Sequence, residues 1–490
     1  MLNLKNVSKS FDGKVVLNDV SFSLQQGQIV GLVGDNGAGK STVLKLLNGE
    51  LLPDTGMVAY SGEFIGYLPQ TYNFGDLTVE AFLYSGIEDS SYAYRIPMTL
   101  EIVGLQDLKL NQICSTLSGG QKTKLYLASI LLADPEPTVL LLDEPTNNLD
   151  LDGLVWLENF VKNFTGSIVL TSHDRFFLDN TVTKIVEIKD GALNTYGGNY
   201  SFYKEQKLIE EKALERRYED QQKSIKKIEE NIREYKQKAI EGETTYTSRN
   251  PYQKKKAGKA ARTAIVRERK LEKMLESSEH IEKPNLKKSY GVTISSEMHS
   301  GKLVLDAVDC GMQFNNNFIF QHVSFDIRGP ERVWLVGKNG SGKSTLIKIV
   351  LGLQKQTLGS VRLGDGISVG YFSQDSHLDL NRTGIDILKN PNIDLTTCYI
   401  EADHLHLSHA DLNKPLKQLS RGQIAKIEFL RLILQNNDLL ILDEPTNHLE
   451  IDTREDIEKA LQNYTGAILV ASHDRYFIDK LGISKVIQLV

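Results

Sequence analysis

The chain has 490 residues, enough for two or three domains with hydrophobic cores, and 40% apolar with 24% charged residues is ordinary for a soluble globular protein. No apolar run approaches the about 20 residues of a membrane span, and the first residues lack the apolar core of a signal peptide, so we expect a cytoplasmic protein without membrane contact. Cys114, Cys310 and Cys398 are isolated, which argues against a disulfide framework or a zinc site.

Residues 1–199 and 300–490 carry the same motifs in the same order, 300 to 303 residues apart, which indicates a duplicated domain. In each copy a buried apolar strand, Ile29–Val33 or Val333–Val336, leads into a glycine-rich loop and then a helix. The two loops comprise Gly34, Asp35, Asn36, Gly37, Ala38, Gly39, Lys40, Ser41 and Thr42, and Gly337, Lys338, Asn339, Gly340, Ser341, Gly342, Lys343, Ser344 and Thr345.

These loops are typical of phosphate binding. Glycines allow backbone N–H groups to converge on an anion at the start of a helix. We expect Lys40 and Lys343 to reach the β- and γ-phosphates of ATP, and Ser41 and Ser344 to ligate Mg²⁺. The motif predicts an α/β P-loop fold in both copies.

Two carboxylates follow a buried apolar strand in each copy. Asp143 and Asp443 are placed to hold Mg²⁺ through water, and Glu144 and Glu444 to orient and activate the attacking water. A second pair of candidates, also after apolar strands, is predicted to hydrogen-bond the γ-phosphate: His173 and His473. The chemistry predicted from these residues is hydrolysis of the γ-phosphate of a bound nucleotide; the resemblance described below implies that the nucleotide is ATP, hydrolysed to ADP and phosphate.

Residues 200–299, between the copies, have a helical pattern. A first helix of roughly 40 residues, about 60 Å long at 1.5 Å per residue, and a second helix predict an antiparallel hairpin, with a break over Gly242–Gly258. The first helix should pack through Leu214, Tyr218, Ile225, Ile228, Ile232, Tyr235 and Ala239, and the second through Ala264, Leu271, Met274, Ser278 and Ile281.

Charge is unevenly distributed. Residues 201–290 hold 24 Lys and Arg against 16 Asp and Glu, whereas the rest of the chain holds 33 against 47. Cations and aromatic rings are concentrated at the predicted tip, residues 242–262, which suits RNA. The predicted RNA-contacting residues are Tyr246, Arg249, Tyr252, Lys254, Lys255 and Lys256.

The motifs resemble the ATP-binding cassette superfamily over both copies. The resemblance implies that an LSGGQ-type segment of one cassette caps the ATP held by the other. Site one would combine Lys40, Gln70, Asp143, Glu144 and His173 with Ser420, Gly422 and Gln423. Site two would combine Lys343, Gln374, Asp443, Glu444 and His473 with Ser118, Gly119, Gly120 and Gln121. It also implies that Gln70 and Gln374 are metal ligands and that Phe11 and Phe314 stack on adenine.

Three residues depart from the superfamily pattern. Arg421 replaces the first glycine of the second LSGGQ-type segment, and Asn148 and Glu450 alter the TNHLD-like segments at 146–150 and 446–450. Both catalytic glutamates remain, so we expect two competent sites of unequal rate.

Two cassettes joined by a helical hairpin are similar to the ABC-F family, which implies a monomer that enters the ribosomal tRNA exit site. There the linker points toward the peptidyl-transferase centre and contacts tRNA and large-subunit ribosomal RNA, and ATP hydrolysis drives release. A short segment between Gln70 and Leu117 favours the antibiotic-resistance branch over general translation factors. A transporter ATPase and a DNA-repair ATPase are the other readings; the basic hairpin disfavours the first, and the lack of paired cysteines disfavours the second.

Overall fold

The structure is a computed structural model that describes residues 2–87, 90–147, 149–244, 251–277, 281, 299–314, 317–373, 378–389, 393–446, 449 and 451–489. It forms two compact units. One unit, Met1–Ser201 with Ser289–Val490, contains both cassettes, and the other is Phe202–Lys288. Within the described ranges, no helix is both long and apolar enough to cross a membrane.

The first cassette contains two sheets. Its strands are β1 (Leu2–Phe11), β2 (Lys14–Leu24), β3 (Ile29–Val33), β4 (Thr55–Ala59), β5 (Ile65–Leu68), β6 (Val139–Asp143), β7 (Ser167–Thr171), β8 (Lys184–Lys189) and β9 (Ala192–Gly197). Its helices are α1 (Lys40–Asn48), α2 (Val79–Ser85), α3 (Ile96–Ile102), α4 (Gly119–Leu131), α5 (Leu151–Asn163) and α6 (Arg175–Thr181), with 3₁₀ turns at Ser90–Arg95 and Cys114–Thr116.

The larger sheet of the first cassette positions the functional loops. Its strand order is β5-β6-β7-β3-β8-β9, and all neighbours are parallel except β8 and β9. Every residue of β6 and of β7 is buried, as expected for parallel strands with both faces covered. Because β6, β7 and β3 are adjacent, the loops that follow them meet at one edge of the sheet. The smaller antiparallel sheet has the order β2-β1-β4.

The linker unit is a helical hairpin, as the sequence predicts. It contains α7 (Tyr200–Thr244, 45 residues) and α8 (Pro251–Leu275, 25 residues). Lys236 pairs with Glu268 at 2.5 Å, and the Ile281 amide donates to Gln221 at 3.1 Å. From Gln221 to Lys236 along α7, the number of the partner residue falls from 281 to 268, so the two segments run antiparallel.

Two details of the linker differ from the sequence expectation. Helix α8 begins at Pro251, inside the predicted break over 242–258, because proline is tolerated at the first position of a helix, where no N–H bond is needed. Leu214 is 42% exposed, so the packed seam of α7 consists of the later positions, with Ile225 and Ile232 buried. Ser278 lies outside the described residues.

The start of α7 is anchored on the first cassette. Tyr200 is buried. The backbone N–H and the hydroxyl of Ser201 both donate to the carboxylate of Asp179, at 2.7 and 2.6 Å. Asp179 belongs to α6, so the hairpin begins on the helix that directly follows His173 and Asp174.

The second cassette repeats this architecture. Its sheets have the orders β11-β10-β13 and β14-β15-β16-β12-β17. The strands are β10 (Leu303–Phe314), β11 (Asn317–Arg328), β12 (Arg332–Val336), β13 (Leu358–Leu363), β14 (Val369–Phe372), β15 (Leu439–Asp443), β16 (Ala467–Ala471) and β17 (Lys485–Gln488). The helices are α9 (Lys343–Val350), α10 (Gly384–Leu388), α11 (Leu395–His404), α12 (His409–Leu412), α13 (Arg421–Leu434), α14 (Ile451–Gln462) and α15 (Arg475–Leu481), with a 3₁₀ turn at Leu416–Gln418.

Candidate functional site

The two glycine-rich loops have the backbone geometry of an anion cradle. Gly39 and Gly342, the residues before α1 and α9, have φ of 108° and 92°, which side chains rarely adopt. A Cβ atom at Gly39 would lie 2.7 Å from Val16, and one at Gly342 would lie 2.6 Å from Ile319. Only glycine therefore fits at either helix start, where free N–H groups can bind phosphate.

The lysine of each loop folds back over it. Lys40 Nζ donates to the Gly34 carbonyl and Lys343 Nζ to the Gly337 carbonyl, both at 2.7 Å. Lys343 Nζ is also 3.2 Å from His473 Nε2. Each ammonium is thus placed beside the cradle, where the charge of a bound phosphate would attract it.

The glutamates occupy strained backbone positions. Glu144 has φ of 51° and Glu444 has φ of 49°, a left-handed conformation that is costly for residues other than glycine and clusters at functional sites. The Glu144 amide donates to Thr171 Oγ1, which in turn donates to Asp143 Oδ1, each at 2.8 Å. Thr171, the last residue of β7, therefore fixes the backbone of Glu144 and the carboxylate of Asp143.

Burial sets the protonation of each glutamate–histidine pair. It raises the pKa of Glu144 and of Glu444 to about 7. It lowers the pKa of His173 to about 3 and of His473 to about 4, and the nearby lysine of each site adds to the effect. Each histidine Nε2 is 3.4 Å from its glutamate Oε1. Each site thus holds a neutral imidazole beside a carboxyl group that titrates near neutrality, as a general base requires.

The structure brings the residues of site two together across the cassettes. Ser118 and Gly119 of the first cassette line a cavity of about 520 Å³, whereas Gly120 and Gln121, also among the described residues, are not in its lining. The other lining residues of the first cassette are Thr146, Asn147, Leu149, Leu154, His173 and Asp174. Those of the second cassette are Ile319, Asn339, Gly340, Gly342, Lys343, Ser344, Thr345, Asp443, Glu444, Thr446, Arg454, His473 and Asp474. Ser118 caps α4 by accepting from the Gln121 amide, and the Gln121 side chain accepts from the Ser118 amide. The glutamine of this segment therefore serves the helix cap.

The cavity of site one, about 360 Å³, is lined by residues of the first cassette. They are Phe11, Val16, Asn36, Gly37, Gly39, Lys40, Ser41, Thr42, Gln70, Asp143, Glu144 and His173. Of the described residues, Ser420, Gly422 and Gln423 are not in this lining; Ser420 and Gln423 form the same capping box at α13, and Arg421 is its exposed first residue.

Several predicted site residues either line neither of the two cavities or lie outside the described residues. Phe314 is exposed and lines neither cavity. Tyr252, Lys255 and Lys256 are exposed on α8, which also contains Lys254. Five positions lie outside the described residues: Tyr246, Arg249, Gln374, Asn148 and Glu450.

The oxygen-rich sites suit Mg²⁺. The Ser344 hydroxyl hydrogen-bonds to the Asp443 carboxylate, which places two hard oxygen donors beside the phosphate cradle of site two. Ser41 and Asp143 line the corresponding part of site one.

Sequence reasoning missed the residues that join the cassettes. Arg175 donates through Nη1 to Glu458 Oε2 at 3.1 Å and through Nη2 to Oε1. Arg475 donates through Nη2 to Glu158 Oε1. The repeat itself held a signal, because both partners of each pair recur 300 residues apart, but no local motif marks them as an interface.

Comparisons with known proteins agree with the two cassettes and the linker described above. A family model described as ABC transporter matches residues 17–147 and 320–447, and a second model of that description matches 186–291. Ribosome protection protein VmlR of Bacillus subtilis is 34% identical over 99% of this chain and 86% of its own length. ABC transporter F family member 2 of Arabidopsis thaliana is 31% identical over 100% and 76%.

Solved structures share the fold. A chain in the crystal structure of the complex of archaeal ribosomal stalk protein aP1 and archaeal ribosome recycling factor aABCE1 has a TM-score of 0.65 at 18% identity. The match covers 99% of this chain and 87% of that one. RNase-L Inhibitor has a TM-score of 0.63, covering 98% and 86%.

Proposed function

The chain belongs to the ABC-F family of tandem ATP-binding cassette proteins and hydrolyses ATP, and we propose that it does so on the ribosome, as a protection protein against large-subunit antibiotics. The observation that carries this proposal is the similarity to the ribosome protection protein VmlR across nearly the whole chain. The described helices between Gln70 and Leu117 are also short: α2 and α3 have seven residues each, which supports this branch over a general translation factor.

Hydrolysis is assigned to the glutamates. In each site the ionised carboxylate of Glu144 or Glu444 accepts a proton from the attacking water as the water bonds to the γ-phosphorus, and ADP leaves. The neutral histidine, held 3.4 Å from the glutamate, orients the reacting groups. Ser41, Gln70 and Asp143, or Ser344, Gln374 and Asp443, would hold Mg²⁺, which would supply positive charge that offsets the phosphates.

ATP binding closes the two cassettes, and the closed form binds the ribosome with the linker tip, residues 242–262, directed toward the peptidyl-transferase centre. The exposed Tyr252, Lys255 and Lys256 contact ribosomal RNA or tRNA there. Hydrolysis opens the cassettes and releases the protein.

Trapping tests the ribosome assignment. The double variant Glu144→Gln, Glu444→Gln binds ATP without activating water, so it should co-sediment with ribosomes when ATP is present. The matched control, Lys40→Ala with Lys343→Ala, loses the phosphate contact and should stay in the supernatant. If the glutamine variant also stays in the supernatant with ATP, ribosome binding by the closed form is wrong.

Expression in a susceptible bacterium tests protection. The protein should raise growth-inhibitory concentrations for some large-subunit antibiotics in a panel. Shortening residues 243–258 while keeping ATPase activity should abolish that protection. An intact protein that protects against no drug in the panel would instead indicate a general translation factor, and protection that survives the shortening would exclude the tip from the mechanism.

A further inference from the structure

The interface between the cassettes is reciprocal at its outer contacts. Buried Arg175 pairs with Glu458, and Arg475 pairs with Glu158. Each guanidinium also stacks on the aromatic residue after the other arginine: Arg175 lies 4.3 Å from the Tyr476 ring and Arg475 lies 4.0 Å from the Phe176 ring. Each cassette therefore contributes an equivalent arginine, with an equivalent acidic and aromatic partner, to these contacts.

One contact at the interface breaks this symmetry. Arg454, buried in α14, donates through Nη1 to the backbone carbonyl of His173 in the other cassette at 3.0 Å. The same Nη1 is 3.2 Å from Asp474 Oδ2, and Nε donates to the Leu449 carbonyl at 3.0 Å. A single guanidinium thus joins the histidine loop of site one to the histidine loop of site two.

The first cassette has no equivalent donor at this position. The residue 300 positions before Arg454 is Leu154, which is buried and has no polar atom in its side chain. The loop of site two therefore receives no side-chain hydrogen bond from residue 154 across the interface. Asp174 caps its helix by accepting from the Phe177 amide at 2.9 Å, as Asp474 does from the Phe477 amide, although of these two aspartates Asp474 is the one that pairs with Arg454.

We propose that Arg454 is a positioning residue for ATP site one, acting from the opposite cassette: by holding the His173 carbonyl it fixes the loop that orients His173 and Glu144. Its bond to Asp474 ties this loop to the histidine loop of site two. Turnover at site one therefore depends on a contact from the second cassette, and residue 154 makes no equivalent contact to the histidine loop of site two.

The electrostatics agree with this geometry. At each glutamate the lysine of the same cassette, Lys40 or Lys343, is the main charge that opposes the rise in pKa caused by burial. At Glu144 the positive charge of Arg454 adds to that of Lys40. Arg454 thus acts on both members of the glutamate–histidine pair of site one. The inference rests on the proposed roles of Glu144 and Glu444, and the experiment below separates the two.

Single-turnover hydrolysis, measured with protein in excess over ATP, tests the inference one site at a time. In the full-length Glu444→Gln protein site one hydrolyses, and in Glu144→Gln site two hydrolyses. Adding Arg454→Leu, which copies Leu154, should slow site one at least about tenfold and site two less than about threefold. Arg454→Lys keeps the positive charge but loses the planar set of guanidinium N–H donors, so it should restore part of the hydrolysis rate of site one. Arg362→Leu, an exposed arginine of the same cassette, is the control and should change neither rate.

The outcomes are distinguishable. Equal slowing of both sites, or no slowing of site one, overturns the role of Arg454 and leaves the glutamate assignment intact. If Glu144→Gln and Glu444→Gln each hydrolyse at the wild-type rate, the glutamate assignment fails, and this inference fails with it. If Arg454→Leu lowers the thermal unfolding midpoint sharply, the comparison is made with Arg454→Lys, for which site-selective slowing supports the inference and equal or absent slowing overturns it.

Discussion

At the scale of single residues, the sequence identifies candidate side chains for hydrolysis but not their protonation. Glu144 and Glu444 could be recognised because each follows Asp after a buried strand. Their pKa near 7 results from burial by loops that are distant in sequence, and their left-handed backbone results from hydrogen bonds to a neighbouring strand. Both properties require the folded chain, so no local pattern could reveal them.

These pKa values predict the pH dependence of hydrolysis. The base works when deprotonated, and burial raises its pKa, so activity is lost as pH falls through about 7. His173 and His473, with pKa of about 3 and 4, stay neutral over this range. The ionised fraction rises from about one tenth at pH 6 to about nine tenths at pH 8, and kcat/KM for ATP should rise about tenfold.

Steady-state rates at pH 6 to 8 check this expectation. ATP binding by the Glu144→Gln, Glu444→Gln variant serves as the control and should change little, because the titrating groups are gone. A flat kcat/KM profile for the wild-type protein would contradict the assignment of these carboxyl groups as bases.

At the scale of elements, helical periodicity predicts the hairpin but not its limits. Pro251 was interpreted as part of a break, yet it begins α8. Leu214 fits the apolar spacing, yet it is exposed. The spacing alone does not specify which partner, if any, packs against a given position. Spacing identifies a face of a helix and does not show where that face is covered.

This difference predicts unequal effects of the same substitution. Ile232→Asp places a carboxylate at a buried position between the helices and should destabilise the hairpin by about 2–4 kcal/mol. Leu214→Asp, at an exposed position of the same helix, should cost within about 0.5 kcal/mol. Amide hydrogen exchange of α7 and α8 measures both. Equal loss of protection in the two variants would show that the seam extends to Leu214.

At the scale of the whole molecule, the duplication and the two P-loop cassettes follow from the repeated motifs, and the structure confirms this fold. The contacts between the cassettes could not be predicted from the same motifs. Arg175 follows the Ser-His-Asp triplet, but its partner Glu458 is 283 residues away on a helix of ordinary composition. The repeat marks these residues as recurring, but no local motif shows that they pair with each other across the interface.

The buried pair Arg175–Glu458 should show strong coupling. Arg175→Met or Glu458→Met alone leaves an unpaired buried charge and should cost about 3–5 kcal/mol, whereas the double variant should recover most of that loss. Thermal unfolding midpoints of the three variants measure this. The half-exposed pair Lys485–Asp326 is the matched control, and Lys485→Met should cost at most about 1 kcal/mol. If the unfolding midpoint of the double variant falls by the sum of the two single decreases, Arg175 and Glu458 are not coupled.

The anchoring of Ser201 on Asp179 has a mechanical consequence. Helix α6 starts at the histidine loop of site one, and the first residues of α7 are bonded to α6. If α6 tilted as a rigid body, α7 would tilt with it as a lever arm. With 45 residues, that arm is about 67 Å long. A tilt of about 5° would displace its far end by about 6 Å, roughly the height of one helical turn. Under the proposed function, a small adjustment around a γ-phosphate would reach the far end of α7 as a displacement of that size.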